Sequence, residues 1–311
     1  MNVILTVTPN PCVDKTVYVD EMALGEFNRA ERFSCVAGGK GCNVSKAVKT
    51  MGGDTRALVV VGGHSGRHVV EMMENDEGVE CTPVWVESPT RTITTVLEEK
   101  THRQTAFFEP GSRVTEAEGA AIVEAFRSAV TEADIIALSG TVSDPAIAWL
   151  YSELIPIAQD AGLSVILDSH GPEFVNGLEC KPFMVKPNLQ EAEEVLGRAI
   201  TDEAAQWEAV DSFHQRGIEQ VVLSLGKDGA LVSRGDARVR VVPPSIEEVN
   251  AVGSGDALVA GFALGLFEDR PLEDTARLAC AMGTANASSW DIGHFDRALV
   301  AQFEDEVRID R

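Results

Sequence analysis

Short apolar runs rich in β-branched residues recur along the chain at positions 3–7, 57–61, 135–138, 165–167, 184–185 and 221–225. Most are continuously hydrophobic rather than alternating, the mark of parallel strands covered on both faces. Between them lie helical periodicities at 115–131, 144–161, 189–196, 204–215 and 257–266, several starting beside a Thr, Asp or Asn that can cap. Strand, helix and strand in repeated succession predict an α/β fold, a doubly wound and mostly parallel sheet flanked by helices.

A second pattern breaks that rhythm. Residues 12–19, 30–36, 90–99 and 104–109 alternate polar with apolar or β-branched positions, as antiparallel strands with one wet face do. They come in two pairs, one on each side of a helical segment near 39–51, and fit either two surface hairpins or a small antiparallel β lid. No repeat, low-complexity tract or Pro/Gly/Ser-rich linker divides the chain. Residues 1–311 therefore read as a single α/β domain with an excursion, a size at which the core needs no staple.

Charge narrows the partners. With 26 basic and 49 acidic side chains the net charge is −23, which disfavours a nucleic-acid backbone or an anionic membrane as partner. An anionic ligand needs a locally basic pocket. The six cysteines, Cys12, Cys35, Cys42, Cys81, Cys180 and Cys280, form no C-x-x-C and have no clustered His beside them, so they read as reduced structural thiols. The amino-terminal run from Met1 to Pro9 is strand-like without a basic leader, and no apolar stretch approaches the ~20 residues of a membrane span. A cytoplasmic protein is expected.

Two glycine-rich segments carry candidate chemistry. In Val252-Gly253-Ser254-Gly255-Asp256-Ala257 a glycine turn opens directly into an apolar helix. Unpaired N–H groups and the positive dipole end there make an anion cradle. A carboxylate at Asp256 would repel a phosphate but is placed to take a proton from a nucleophilic hydroxyl, so the combination suggests phosphoryl transfer. The alternative is a loop with an N-cap. In Gly38-Gly39-Lys40-Gly41-Cys42-Asn43 one Lys and one Asn sit among backbone donors, suited to an anion or a polyhydroxy ligand, or simply a turn with a solvated Lys. No Walker-type G-x-x-x-x-G-K-[ST] occurs, residues 252–261 lack G-x-G-x-x-G spacing, and Gly62-Gly63-His64-Ser65-Gly66 reads as a strand-to-helix turn.

Together the two segments resemble the signatures of the ribokinase-like (PfkB) carbohydrate kinases, G-G-K-G-x-N near the start and G-[AS]-G-D near the end. The similarity extends through Thr8-Pro9-Asn10-Pro11-Cys12-Val13-Asp14, Gly25-Glu26-Phe27-Asn28-Arg29, Asp168-Ser169 and Lys186-Pro187-Asn188-Leu189-Gln190-Glu191. It is closest to the phosphosugar branch of 1-phosphofructokinases and tagatose-6-phosphate kinases.

The resemblance implies that Asp256 is the base and that Gly253, Ser254 and Gly255 form the hole for the transferred phosphate. Asp14, Gly39, Asn43 and Ser139 would bind the sugar, and Lys40 with Arg91 the phosphate already on it. Lys186, Asn188, Ser224, Gly226 and Asn286 would bind nucleotide, and Glu191 would hold Mg²⁺ through water. Glu191 also suits a helix start by dipole alone. ATP is the implied co-substrate, with room for K⁺, and the lid implies a homodimer. The expected activity is ATP-dependent phosphorylation of fructose 1-phosphate or tagatose 6-phosphate. The alternatives are fructose 6-phosphate, an unphosphorylated sugar or a nucleoside as acceptor, or a non-catalytic sugar-binding regulator. The chain departs from the phosphosugar pattern at Thr141-Val142-Ser143, His170 and Ala251, which weakens the substrate assignment and not the reaction type.

Overall fold

The apolar runs become the centre of a ten-stranded sheet. The computed structural model describes residues 3–101 and 103–310; Met1 and Asn2, at the start of the amino-terminal run, His102 and Arg311 lie outside the described residues. The strands are β1 (Ile4–Thr8), β2 (Cys12–Val19), β3 (Arg32–Gly38), β4 (Thr55–Val61), β5 (Glu80–Trp85), β6 (Arg91–Glu98), β7 (Gln104–Phe108), β8 (Ile135–Ser139), β9 (Ser164–Asp168), β10 (Met184–Val185), β11 (Gln220–Ser224), β12 (Ala230–Arg234), β13 (Ala237–Val242) and β14 (Arg308–Asp310). The helices are α1 (Lys40–Thr50), α2 (Gly63–Glu71), α3 (Glu116–Ala129), α4 (Leu150–Asp160), α5 (Gly171–Leu178), α6 (Leu189–Leu196), α7 (Glu203–Gln215), α8 (Ser254–Phe267), α9 (Leu272–Ala287) and α10 (Arg297–Glu306).

The main sheet runs β14-β13-β12-β11-β10-β9-β8-β1-β4-β5, parallel from β11 to β5 and antiparallel over the last three strands at the other edge. From β1 the chain moves outward to β4 and β5, then returns to β8 on the opposite side. The winding direction therefore reverses between β1 and β8, and this opens a crevice at the carboxyl ends of the strands.

Continuous hydrophobicity has its cause in the two covered faces. In β8, Ile136 and Leu138 enter a cluster with Phe126, Tyr151 and Phe174, whereas Ile135 and Ala137 enter one with Val259, Phe262 and Ala279. Each such buried Val, Leu, Ile or Phe contributes about 1.5–3 kcal/mol. Helix α8 is buried on all sides from Asp256 to Gly265, and Gly261 lets it touch α9, since a Cβ there would stand 2.4 Å from Ala279 Cα. The expected caps are present: Thr115 forms a capping box on α3, and Asp202 caps α7. The pattern over 144–161 is not one helix, because Asp144 caps a short 3₁₀ turn, Pro145–Ile147, before α4 begins.

The smaller sheet has the order β3-β2-β6-β7. Its two hairpins are antiparallel and meet along a parallel seam, with Cys12 opposite Arg91 and Asp14 opposite Ile93. The seam is parallel because each hairpin leaves the main sheet after a strand of the same direction, β1 for one and β5 for the other. Strand β3 starts at Arg32, two residues later than the alternation suggests. Asp14, Thr16, Tyr18, Thr95, Leu97 and Gln104 face a cleft whose other wall is Asn250, Val252, Trp290 and Ile292. Among the described residues, no helix is long and apolar enough to cross a membrane.

Candidate active site

The glycine turn before α8 is a braced nest. Gly253 adopts φ +82°, and a Cβ on it would lie 2.3 Å from Ile292 Cγ2, so neither the backbone conformation nor the space admits a side chain. Asn286 of α9 holds the turn from beneath: its Nδ2 donates to Val252 O at 2.9 Å and Ser254 Oγ at 3.2 Å, and its Oδ1 accepts from Gly293 N at 2.8 Å. Both ends of that amide are spent on the protein. The first N–H groups of α8 have no intrahelical carbonyl to bond; Ser254 N donates to Ala251 O at 3.2 Å, and the turn as a whole directs backbone donors and the positive dipole end toward an anion.

Asp256 lies in the first turn of α8, almost wholly buried, and its Oδ2 accepts from Asn43 Nδ2 at 2.8 Å. Burial, and next the nearby Asp168, push its pKa up to about 6 against the opposing pull of Lys40, Asn43 and Lys186. A carboxylate of this kind is ionised at neutral pH yet basic enough to accept a proton.

Asp168, at the carboxyl end of β9, is the hub of the charges. Its Oδ1 takes both Lys40 Nζ at 3.2 Å and Lys186 Nζ at 3.3 Å, while Oδ2 has no partner. Burial alone would raise its pKa, but the two ammonium groups outweigh that and hold it below the usual carboxylate value. Burial would lower the Lys40 pKa, and Asp168, Asp256 and Glu191 together raise it instead. Lys186 also reaches the nest, its Nζ standing 3.5 Å from where a Cβ of Gly255 would be. Lys40 and Lys186 are the cations of this cluster, but Asp168, Asp256 and Glu191 face them, so these side chains alone do not make the locally basic pocket expected for an anionic ligand.

On the neighbouring rim, Asn188 and Glu191 form the capping box of α6: Asn188 Oδ1 accepts from Glu191 N and Glu191 Oε2 from Asn188 N, each at 2.9 Å. The helix-start explanation of Glu191 thus accounts for one carboxylate oxygen. The other, Oε1, faces Lys40 Nζ at 4.0 Å and His170 Nδ1 at 3.8 Å. Ser224 closes the end of β11 onto Pro187 O, and Gly226 opens the next turn with φ +61°.

Arg91 and Asp14 occupy the opposite wall, on adjacent lid strands. Arg91 Nη2 donates to Asn10 O at 3.3 Å. Lys40, expected with Arg91 on a sugar phosphate, has its ammonium 3.2 Å from Asp168 Oδ1 and 4.0 Å from Glu191 Oε1. Gly39 and Gly41 let the start of α1 press on β1, with a Cβ on Gly41 coming 2.3 Å from Thr8 Oγ1. Of the seven buried side-chain polar atoms without a partner among the described residues, five belong to Asn43, Arg91, Ser139, Ser143 and Asp168 around this crevice. Such atoms are costly unless something completes them, which marks the crevice as a place for a polar ligand.

Two residues outside the expected set matter. Asp168 could have been found from sequence as the acid that ends an apolar strand on the side where α/β folds bind ligands. Lys46, wholly buried on α1, gives no such signal, since a lysine on a helix is usually solvated.

The sequence matches the pfkB family carbohydrate kinases over residues 7–291. It is 33% identical over 308 residues to the 1-phosphofructokinase of Bacillus subtilis (strain 168), covering 99% of each chain. Phosphofructokinase-2 of Escherichia coli in complex with potassium has the same fold with a TM-score of 0.91 at 27% identity, over 98% of this chain and 99% of that one. The same enzyme in complex with fructose-6-phosphate gives 0.88 at 27% identity, over 98% and 99%. A nest at the start of a buried helix, a carboxylate inside it and full-length likeness to these enzymes agree: the chain belongs to the pfkB family of carbohydrate kinases.

Proposed function

We propose that this protein transfers the γ-phosphoryl group of ATP to a hydroxyl of a phosphorylated hexose, with fructose 1-phosphate or tagatose 6-phosphate as the acceptor. The observation that carries the reading is Asp256 itself, a buried carboxylate with raised basicity in the first turn of α8, beside backbone donors and a lysine. Asp256 takes the proton of the acceptor hydroxyl as that oxygen attacks. The amides of Gly253, Ser254 and Gly255 meet the charge on the transferred group. Lys186 and Lys40 lie on the side where the β- and γ-phosphates approach, with Asn188, Ser224, Gly226 and, through the nest it braces, Asn286 completing the nucleotide side.

On the acceptor side Asp14, Gly39, Asn43 and Ser139 bind sugar hydroxyls. Arg91, whose buried Nε is unpartnered, supplies the planar fork for the phosphate that the sugar already bears. Within a single domain the lid closes over this pocket and excludes water.

Mg²⁺ is the fitting metal. The free Oδ2 of Asp168 and the outward Oε1 of Glu191 are hard oxygen donors on the phosphate side, suited to hold it directly or through water. When bound it neutralises phosphate charge. The potassium complex of the Escherichia coli relative favours a K⁺ requirement as well.

Exposed Leu24, Phe27, Phe33 and Phe107 on the lid support a homodimer through that sheet. The free cysteines suit the reducing cytoplasm. The fructose-6-phosphate complex of the same relative favours a second reading, fructose 6-phosphate as the acceptor. A screen of ADP release over sugars and sugar phosphates, with and without Mg²⁺, tests both: turnover confined to one hexose phosphate identifies the acceptor, and turnover of free sugars alone rejects the phosphosugar assignment.

A further inference from the structure

Lysine is almost never fully buried without a partner, yet Lys46 is 1% exposed in the middle of α1, three residues after Asn43. Its Nζ donates to Ala37 O at 3.0 Å. Ala37 pairs with Val13 where β3 ends, and the next pair along is Asp14 with Val36. One hydrogen bond therefore ties the helix that carries Lys40 and Asn43 to the root of the lid.

Burial pulls the Lys46 pKa below the ordinary lysine value, while Glu77 first, and then Asp14 and Asp256, favour its ammonium form. Glu77 is itself closed off by His294, whose Nε2 lies 2.8 Å from Glu77 Oε2. Reciprocally, burial raises the pKa of Asp14, and Lys46 is the charge that favours its ionised form. Gly293 lies across the stem of Lys46, where a Cβ would come within 2.7 Å of Lys46 Cβ, and its N–H bonds the Asn286 that braces the nest. The lysine bonds the lid root directly, lies against the Gly293 that bonds the nest support, and acts on Asp14 through its charge.

We infer that Lys46 is a positioning residue for acceptor binding, a buried ammonium that pins the end of β3 one residue pair from Asp14. It rests on the reading of Asp14 as an acceptor-binding group. The ammonium fixes the height of the lid wall over the crevice and supplies the positive charge that an inward carboxylate needs. It does so without touching substrate.

The test uses the full chain with K46Q, which keeps a donor for Ala37 O but loses the charge, and K46R, which keeps the charge. Initial rates of ADP release are measured with fructose 1-phosphate, or whichever acceptor the wild type uses, and with ATP varied separately. K46Q is expected to raise the acceptor KM at least tenfold with the ATP KM within twofold, and K46R to bring the acceptor KM back to within threefold of wild type. In a D14N background K46Q adds less than twofold, because the two act as one unit. An acceptor KM in K46Q close to wild type, a parallel rise in both KM values, or no rescue by arginine overturns the inference. If K46Q does not fold, D14N alone decides. Loss of the carboxylate at Asp14 removes one of the charges that favour the buried ammonium and lowers the melting temperature by about 2 °C or more, whereas an unchanged melting temperature overturns the pairing. Absence of wild-type turnover on every acceptor rejects the functional reading, and this inference with it; wild-type turnover with an unaffected K46Q rejects this inference alone.

Discussion

Asn43 Nδ2 donates to Asp256 Oδ2 at 2.8 Å across 213 residues of chain, joining the start of α1 to the start of α8. The bond binds the two glycine-rich segments into one site. It also fixes which carboxylate oxygen stays free to face an acceptor hydroxyl, and it stabilises the ionised form of Asp256 against the burial that opposes it.

Replacing Asp256 by Asn should leave fold and acceptor binding intact and lower kcat by about 10³-fold, in the range expected for loss of a positioned base. Calorimetric binding of the sugar phosphate beside ADP-release rates checks both halves; near-normal turnover of D256N rejects the assigned base.

The pH profile follows from the same residue. With a pKa of about 6, Asp256 is protonated below that value and cannot accept a proton, so kcat should fall roughly tenfold per pH unit on the acid side and level off above neutrality. Asn43→Leu removes a hydrogen bond to the charged form, which moves the acid limb to higher pH. A limb that stays in place in N43L would separate it from Asp256.

Lys186→Met takes one of two ammonium groups from the buried Asp168. The ATP KM should rise at least tenfold, and stability should drop by roughly 3 kcal/mol, the cost of leaving a buried charge short of its partner. Because the Asp168 pKa is depressed in the folded state, its stabilisation is present above the ordinary carboxylate value and lost as pH falls through the depressed one. The deficit of K186M is therefore visible at neutral pH by chemical denaturation. Unchanged stability there would mean that Lys40 alone satisfies Asp168.

Arg91→Met should impair use of sugar phosphates far more than of free sugars, since only the former present an anion to its guanidinium. Comparing kcat/KM for fructose 1-phosphate and fructose decides the matter. Equal loss on both moves Arg91 from phosphate recognition to lid support through Asn10 O.

Gly253→Ala forces a side chain into φ +82° and onto Ile292. The left-handed conformation costs about 1–2 kcal/mol, and the displaced nest should cut kcat about 10- to 100-fold with a smaller change in KM. Full activity of G253A would show that the nest tolerates movement.

What the chain reveals by itself here is local. Unbroken apolar runs report strands covered twice, alternating ones report the lid, and the junction of Gly253-Ser254-Gly255 with an apolar helix reports the nest and Asp256, because periodicity and backbone freedom are properties of neighbouring residues. Asn188 as a cap and Glu191 as a helix-start acid were legible for the same reason. The strands β5 and β12 to β14 and the helices α5, α9 and α10 were not read from the sequence; Glu80, Arg238 and Asp274 are exposed on β5, β13 and α9, so their charges lie on the solvent side of these elements. Only the tertiary structure decided that Lys40 and Lys186 share one oxygen of Asp168, that Asn286 braces the nest from below, that Lys46 is buried and that the two hairpins meet in a parallel seam. Those facts depend on distances between residues far apart in sequence, and charge, hydrogen bonding and burial act through space, where order along the chain carries no information.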